Sequence, residues 1–580
     1  MLVYRDSSVA ERATALADAA ESLAAAVESQ PGYDAAVELL ITAGELESAV
    51  LDTMEHDVDE DIASGLRDLS LTAARILAAV DASGRSRATS LCRGMRAMLR
   101  VVRRELADAL VRRRVPEGFA YYALYPEAYA AATRAYLAER QPRRATVIGI
   151  RSIGSSLSAV VACELARRAP DLDVVTFTVR PHGHPFDRVT AFSPAAERRI
   201  RSRVDGDFIV VDEGPGLSGS TFASVADALG ALGIADERIS FMPSWRADPA
   251  QLRSARSRAR WPRHRCYVSS FDAVWDDGRR IAAQWNAHLV ADWSGGSWRE
   301  QYPAGERPVA NPQHEQRKYL ARRDSELLVL KFVGLGQYGR RRAQLADALA
   351  EAGHAPATHG FRRGFLATSF VAGAPLTRDA LDAGVLARLG EYVAFRRSLA
   401  VARRGASCSD LLEMIDVNVA DELEHFPIAR ETVSRLADRM HGERAVAQDG
   451  RMLPHEWIIA PTGLVKIDGV AHHDDHFLPG PQPAIWDIAG VRAELELSPD
   501  ETRAVLDAFV HRAHESDVAQ RLPFYDVAYL ALRIGYARLS AESCVDTADG
   551  ARWSEAESRY RQRLRQVLGA IERAEAACPA

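Results

Sequence analysis

Two adjacent carboxylates, Asp212 and Glu213, end the apolar run Phe208–Val211 and are followed by Gly-Pro-Gly-Leu-Ser-Gly-Ser-Thr at 214–221. Each part has a chemical use. Gly216 and Gly219 let the backbone approach a ligand closely and take up positive φ. Free N–H groups where a helix starts bind anions, helped by the helix dipole. Ser218, Ser220 and Thr221 add hydroxyl donors. The acid pair can accept hydrogen bonds from a sugar diol or hold Mg²⁺ through water. The combination suits a phosphate group, with a sugar diol or Mg²⁺ at the acids. Two more polar segments follow apolar runs. Arg151, Ser152 and Gly154 come after Thr146–Ile150, and Arg180, His182, His184 and Arg188 come after Val174–Val179. Basic groups there would neutralise a departing anion, and a histidine would deliver a proton.

A second set of reactive side chains lies in the other half. Lys331 sits in the apolar run Glu326–Phe332, ahead of the glycines at 334, 336 and 339. Lys466 and Asp468 share the segment Gly463–Gly469, and His472-His-Asp-Asp-His476 follows closely. Lysine is scarce: the chain has Lys318, Lys331 and Lys466, and arginine carries nearly all other positive charge. A compact ammonium serves where a guanidinium does not fit, so lysines in a chain that avoids them favour chemistry.

These groups need elements to position them. Residues 8–114 read as helices, with Ala35–Leu51 and Leu91–Val111 carrying apolar residues at three- and four-residue spacing. The acidic cluster Glu55–Asp61 reads as a solvated helix end. From Gly118 strands alternate with helices: strands at Thr146–Ile150, Val174–Val179, Phe208–Val211 and Ile239–Met242, helices at Ser156–Arg167 and Phe222–Leu232. That rhythm predicts a parallel sheet with ligands at the C-terminal strand ends. Residues 292–316 are rich in Gly, Pro and polar groups and read as a linker or excursion. The last unit begins strand-like and then turns helical.

Asp212–Thr221 resembles the phosphoribosyl pyrophosphate signature of type I phosphoribosyltransferases. The spacer Gly214–Leu217 is longer than that family's. Arg151–Ser156 looks like its pyrophosphate loop, and Arg180–Arg188 like its mobile hood. The resemblance spans roughly residues 118–250. It implies an Mg²⁺-dependent glycosyltransferase that moves 5-phosphoribose from phosphoribosyl pyrophosphate to an unidentified acceptor. Asp212, Glu213, Arg180, His182, His184 and Arg188 would be catalytic. Arg151, Ser152, Gly154, Gly216, Ser218, Gly219, Ser220 and Thr221 would bind the donor. Trp245 and Arg246, after the fourth strand, are acceptor candidates. The rival readings are a non-catalytic sensor of phosphoribosyl pyrophosphate or nucleotide, and a phosphorolytic or pyrophosphorolytic enzyme acting on a ribosylated substrate.

From Lys318 to about residue 515 the chain resembles aminoglycoside-phosphotransferase-like kinases. The lysine strand, the hinge-like Phe365–Leu376, the Asp468 strand and the segment around Asp487 carry the likeness. It implies ATP as a ligand, with Lys331, Lys466 and Asp468 as nucleotide-binding candidates and Asp468 and Asp475 as metal candidates. The catalytic stretch departs: Asp449–Trp457 has no Asp at the base position and no Asn at the metal position. His455, Glu456 and the His472–His476 cluster could form a new polar or metal site there.

The expected fold is α/β. A helical region (1–115) precedes a parallel-sheet, phosphoribosyltransferase-like domain (116–300). A linker (301–317) leads to an α+β, protein-kinase-like domain with a helical C-terminus (318–580). The net charge of −6 gives no reason to expect nucleic acid. No apolar run is long enough to cross a bilayer, so no membrane partner is expected. Six cysteines without a CxxC pair argue against a zinc site and a disulfide framework, and the expected compartment is a reducing cytoplasm. Small molecules are the expected partners, and a homodimer is the assembly to expect if the chain self-associates.

Overall fold

The computed structural model describes residues 1–4, 8–53, 60–106, 109–401, 404–440, 444–515 and 517–577. Most of the acidic cluster Glu55–Asp61, and Cys578, lie outside the described residues.

Four long helices, Ala13–Ser29, Tyr33–Thr53, Glu60–Asp81 and Arg85–Leu106, form the N-terminal bundle. The fourth buries Ala88, Cys92, Met95, Leu99, Val102 and Leu106, an alternating four- and three-residue spacing that makes one apolar seam. The second is buried on every side from Ala36 to Leu51, so it runs through the core. It packs on the helix Ile153–Arg168 of the next unit. The buried Glu47 meets the buried Arg67 at 3.1 Å, and Ser70 donates to it at 2.6 Å. The sequence predicted helices throughout residues 8–114. Leu110–Arg113 is instead a strand, paired antiparallel with Val9–Arg12. Leu110 and Arg112 are exposed while Val111 and Arg113 are buried, the period of a strand.

The next unit has the predicted parallel sheet. Its strands are Arg144–Ile150, Asp173–Val179, Asp207–Val211, Ile239–Met242 and the two-residue Arg265–Cys266. In space the order is second, first, third, fourth, fifth, all parallel. The order reverses beside the first strand, so the ends of the first and third strands form the switch point at which such sheets open a crevice. Ser152 and the acid pair stand at those ends.

A five-stranded antiparallel sheet follows, in the order Thr358–Arg362, Phe365–Ser369, Glu326–Phe332, Lys318–Arg323, His288–Asp292. Its edge strand His288–Asp292 falls inside the stretch expected to belong to the parallel-sheet domain. The sheet therefore starts well before Lys318. Segment 301–317, expected to be a linker, supplies part of a cleft wall instead. The helix Gly336–Glu351 crosses this sheet and also packs on the N-terminal helix Tyr33–Thr53.

The C-terminal body is helical, around a small sheet of Ala374–Pro375, Trp457–Ala460 and Gly463–Lys466. Its longest helices, Val518–Ser543 and Ala548–Ala577, pack on each other. No described helix is long and apolar enough to cross a membrane.

Candidate functional site

A cavity of about 440 Å³ lies between the antiparallel sheet and the helical body. Volumes of 300–1,000 Å³ are typical of small-molecule sites. One wall is apolar, from Val329, Leu366, Ile458, Ile467 and Phe370, and the excursion adds Trp298 and Tyr302. The charged end holds Lys318, Lys331, Lys466, Asp468, Glu456 and Arg451. Every lysine of the 580-residue chain thus lines one cavity.

The strands dictate this convergence. Lys331 and Lys318 are direct partners across neighbouring antiparallel strands, so their side chains share a face. Like charges placed opposite each other repel unless an anion lies between them. Asp468 is that anion. Lys331 Nζ donates to its carboxylate, and Lys318 Nζ stands 3.7 Å away. Lys466 ends the strand Gly463–Lys466 opposite Trp457, and its ammonium is buried. It donates to Glu456 and to the carbonyl of Arg451 at 3.0 Å, and lies 3.4 Å from Asp449.

Burial pulls all three ammoniums down, and the carboxylates pull them up. For Lys331 burial wins, aided by Lys318, and its pKa is lowered. For Lys318 and Lys466 the neighbouring acids win and the pKa is raised. Burial opposes ionisation of Asp468, but Lys331 and Lys318 outweigh it and hold its carboxyl well below the usual range. Glu456 remains raised by burial despite Lys466. His455 is pushed down to about 3 by burial and by Lys466 and Lys318, and its ring stacks on Trp298 at 5.3 Å. It is a neutral wall group.

The loop carrying Asp449 is fixed from behind. Asp487 accepts from the N–H groups of Asp449 and Gly450 at 2.7 and 2.8 Å. The buried Arg396 donates to the carbonyls of Gly469 and Gln448. Burial and the neighbouring Asp449 push Asp487 up to about 7.

Asp449, Glu456 and His472 present ligand atoms within 4.8 Å of one another, a spacing that suits a cation. The donor set nevertheless does not fit a divalent ion, because the Lys466 ammonium already contacts both acids. Asp468, expected as a metal ligand, is likewise held by Lys331 and Lys318. Asp475, the other metal candidate, pairs elsewhere, with His476 at 2.9 Å and Arg451 at 3.5 Å. The His472–His476 cluster divides its work. His472 faces Asp449 and Asp468, while Asp474 pairs with the fully buried Arg342.

The glycines at 334–339 make a packed turn. Gly334 and Gly336 have φ of 113° and 56°. A Cβ on Gly339 would meet the Gly334 carbonyl oxygen at 1.9 Å, so the turn closes on itself. Leu335 N–H donates to the Phe119 carbonyl at 2.9 Å, and Arg342 donates to the Ala120 carbonyl at 2.7 Å. The turn joins the two halves.

At the parallel sheet, the structure brings the predicted loops side by side. Ser152 begins the pyrophosphate-loop candidate with φ 111° and ψ −119°, a strained conformation for a residue with a Cβ. Gly154 passes so close to the third strand that a Cβ would lie 2.8 Å from the Val211 carbonyl. Ser218 and Ser220 both donate to the carbonyl of Pro185, so the hood segment lies against the hydroxyl loop. Gly216 and Gly219 take positive φ of 60° and 67°, and Thr221 lies in the first turn of the helix Ser220–Ala231.

Arg180 and Arg151 both pair with Asp52 of the N-terminal bundle. Arg188 has its pKa lowered by burial and by Arg114 and Arg180. His182 and His184 are exposed. Burial pushes Asp212 up to about 7 and Glu213 up to about 8, and Glu213 accepts from Gly118 N–H at 3.0 Å. Trp245 is exposed, and Arg246 donates to the Cys266 carbonyl at 3.3 Å.

Sequence reasoning named Lys331, Lys466 and Asp468 but gave no role to Lys318, Arg451 or Trp298. The shared scarcity of lysine is the signal that could have placed Lys318 with the other two.

The antiparallel sheet, the crossing helix and the helical body together enclose the cleft. Among solved structures, the chain is similar to a choline/ethanolamine kinase family protein from Mesorhizobium loti, at 15% identity and a TM-score of 0.33 over 44% of this chain and 89% of that one. It is similar to the choline kinase LicA from Streptococcus pneumoniae, at 17% identity and a TM-score of 0.32, with the same coverage. It is also similar to the macrolide 2'-phosphotransferase MphH from Brachybacterium faecium, at 17% identity and a TM-score of 0.32 over 48% of this chain and 97% of that one. No protein-family model matches the chain, and no curated protein matches it. These matches correct the enzyme class expected from the sequence: the likeness is to phosphotransferases, not to a glycosyltransferase of the phosphoribosyltransferase type. A parallel sheet with polar loops at its strand ends assigns no activity by itself.

Proposed function

We propose that this protein binds a nucleoside phosphate, of which ATP and ADP are the simplest forms, in the cleft between the antiparallel sheet and the helical body. One observation carries the reading: all three lysines of the chain converge on one end of this cavity. An apolar wall of Val329, Leu366, Ile458 and Phe370 suits a base, and the ammonium end suits phosphates. Lys331, with its lowered pKa, gains most from a second anion, because burial outweighs the help that Asp468 gives it.

The site also touches the rest of the molecule, which favours a nucleotide-sensing role. Asp474 and Asp475 follow Asp468 within seven residues, and Tyr121 of the parallel-sheet unit donates to the Asp474 carbonyl at 2.7 Å. A ligand that moves Asp468 pulls on a segment bonded to that unit.

The test is calorimetric titration with ATP and ADP. Lys331→Met and Lys318→Met should each weaken binding about tenfold or more, the loss of one charge-assisted hydrogen bond of roughly 1.5–3 kcal/mol. Absence of binding to the native protein would refute the reading.

A further inference from the structure

A kinase-like cleft normally meets its polyphosphate through a divalent cation held by side-chain oxygens. Here the acids at that end of the cavity each have an internal cation. Lys466 contacts Glu456 and lies 3.4 Å from Asp449, with side-chain exposures of 1% for Lys466 and 0% for Asp449. Lys331 and Lys318 share Asp468. Three carboxylates therefore face three ammoniums, and the cluster is neutral without any bound ion.

The choice of residue supports the same conclusion. The chain uses arginine for nearly all its positive charge, yet each of these three positions is lysine. A guanidinium is planar and forked, and suits partners that it can meet side by side, such as a single carboxylate. An ammonium is a compact point charge that can sit among several oxygens at once, as a metal ion does. Lys466 does so with Glu456, Asp449 and the Arg451 carbonyl. The geometry also explains why two lysines serve one acid. Lys331 and Lys318 are cross-strand partners with a single carboxylate between them, so this pair keeps one positive charge in excess on the cavity face.

Resting on the nucleotide reading above, we propose that Lys318, Lys331 and Lys466 replace the divalent cation, so that the cleft binds a nucleoside di- or triphosphate without metal. Lys318 and Lys331 meet the phosphate oxygens directly, and Lys466 keeps Asp449 and Glu456 from recruiting an ion.

Titration of the full chain with ADP and ATP, once in excess EDTA and once in excess Mg²⁺, tests this. The expected result is binding in EDTA that matches binding in Mg²⁺ within a few fold. Binding that needs Mg²⁺ by more than about tenfold, about 1.4 kcal/mol, would overturn the inference and leave the nucleotide reading intact. Absence of binding in both buffers would overturn both. A second measurement needs no nucleotide. Paramagnetic resonance of Mn²⁺ should find no bound ion on the native protein and a bound ion on Lys466→Met, where Asp449, Glu456 and His472 lose their internal cation. Mn²⁺ held by the native protein at these residues, lost in Asp449→Asn, would refute the substitution of lysine for metal whether or not Lys466→Met folds.

Discussion

Replacing Lys466 with Met tests how the charge cluster is held, and its size follows from the structure. Methionine keeps most of the volume, so packing changes little. What changes is the charge left behind. Asp449 retains the Tyr392 hydroxyl at 2.5 Å and the Arg451 N–H at 3.3 Å, so it stays ionised. Glu456 loses the ammonium it contacts, in a site where burial already raises its pKa. Its cheapest response is to take up a proton. With an ordinary value of 4.5, protonating it at pH 7 costs about 3 kcal/mol, at 1.36 kcal/mol per unit. That lies at the lower edge of the roughly 3–5 kcal/mol lost when a buried pair is broken. The sign follows from linkage. A carboxyl whose folded pKa exceeds its unfolded value stabilises least at high pH, so the penalty should shrink by about 1.4 kcal/mol per unit as pH falls from 7 toward 5. Hydrogen exchange of the amides in 457–466, compared between variant and native protein at each pH, reads this directly. Lys466→Met combined with Glu456→Gln should recover to within about 1 kcal/mol, since a buried pair is near break-even against a neutral substitute. A penalty below about 1 kcal/mol at pH 7, or one unchanged at pH 5, would refute the reasoning.

Asp212 and Glu213 have folded pKa values raised to about 7 and 8, so their contribution to stability is largest below pH 4 and is lost as pH rises through 8. Asp212→Asn with Glu213→Gln should flatten the fall in melting temperature between pH 5 and 8, and an unchanged slope would contradict the burial argument. Ser152 holds φ 111°, and its N–H and carbonyl both meet Ser48 through backbone atoms that glycine retains. Ser152→Gly should therefore raise stability by about 1 kcal/mol in thermal unfolding, and a loss would show that the side chain matters more than the strain. Arg342 is fully buried and donates to the Ala120 and Val333 carbonyls while pairing with Asp474 at 2.9 Å. Arg342→Met should cost about 3–5 kcal/mol and open the contact between the halves to limited proteolysis, and an unchanged digestion pattern would refute its joining role.

Four strands of the parallel sheet were legible because each is a short apolar run bounded by polar turns; the fifth, the two-residue Arg265–Cys266, has no such run and was missed. Ile239–Met242 has the predicted bounds, and Asp207–Val211 differs by one residue. Leu110–Arg113 was not legible, because a four-residue strand has too few positions for its period of two to stand out from the helix before it. His288–Asp292 was hidden for another reason: it joins its sheet by pairing with a strand some thirty residues later, across a Gly- and Pro-rich excursion that looks like a boundary. Function was distorted by the same locality. The loop Asp212–Thr221 collects its acids, glycines and hydroxyls within ten residues, so it dominates a linear reading. The lysine cluster is scattered from 318 to 466, and only the cross-strand pairing of Lys318 with Lys331 and the strand holding Lys466 bring it together. What the sequence did carry was scarcity. A residue type that the chain almost never uses is informative wherever it appears, because its ordinary surface role has been given to arginine. Scarcity alone marked Lys318, and in the fold it shares one carboxylate with a second ammonium, each a compact point charge.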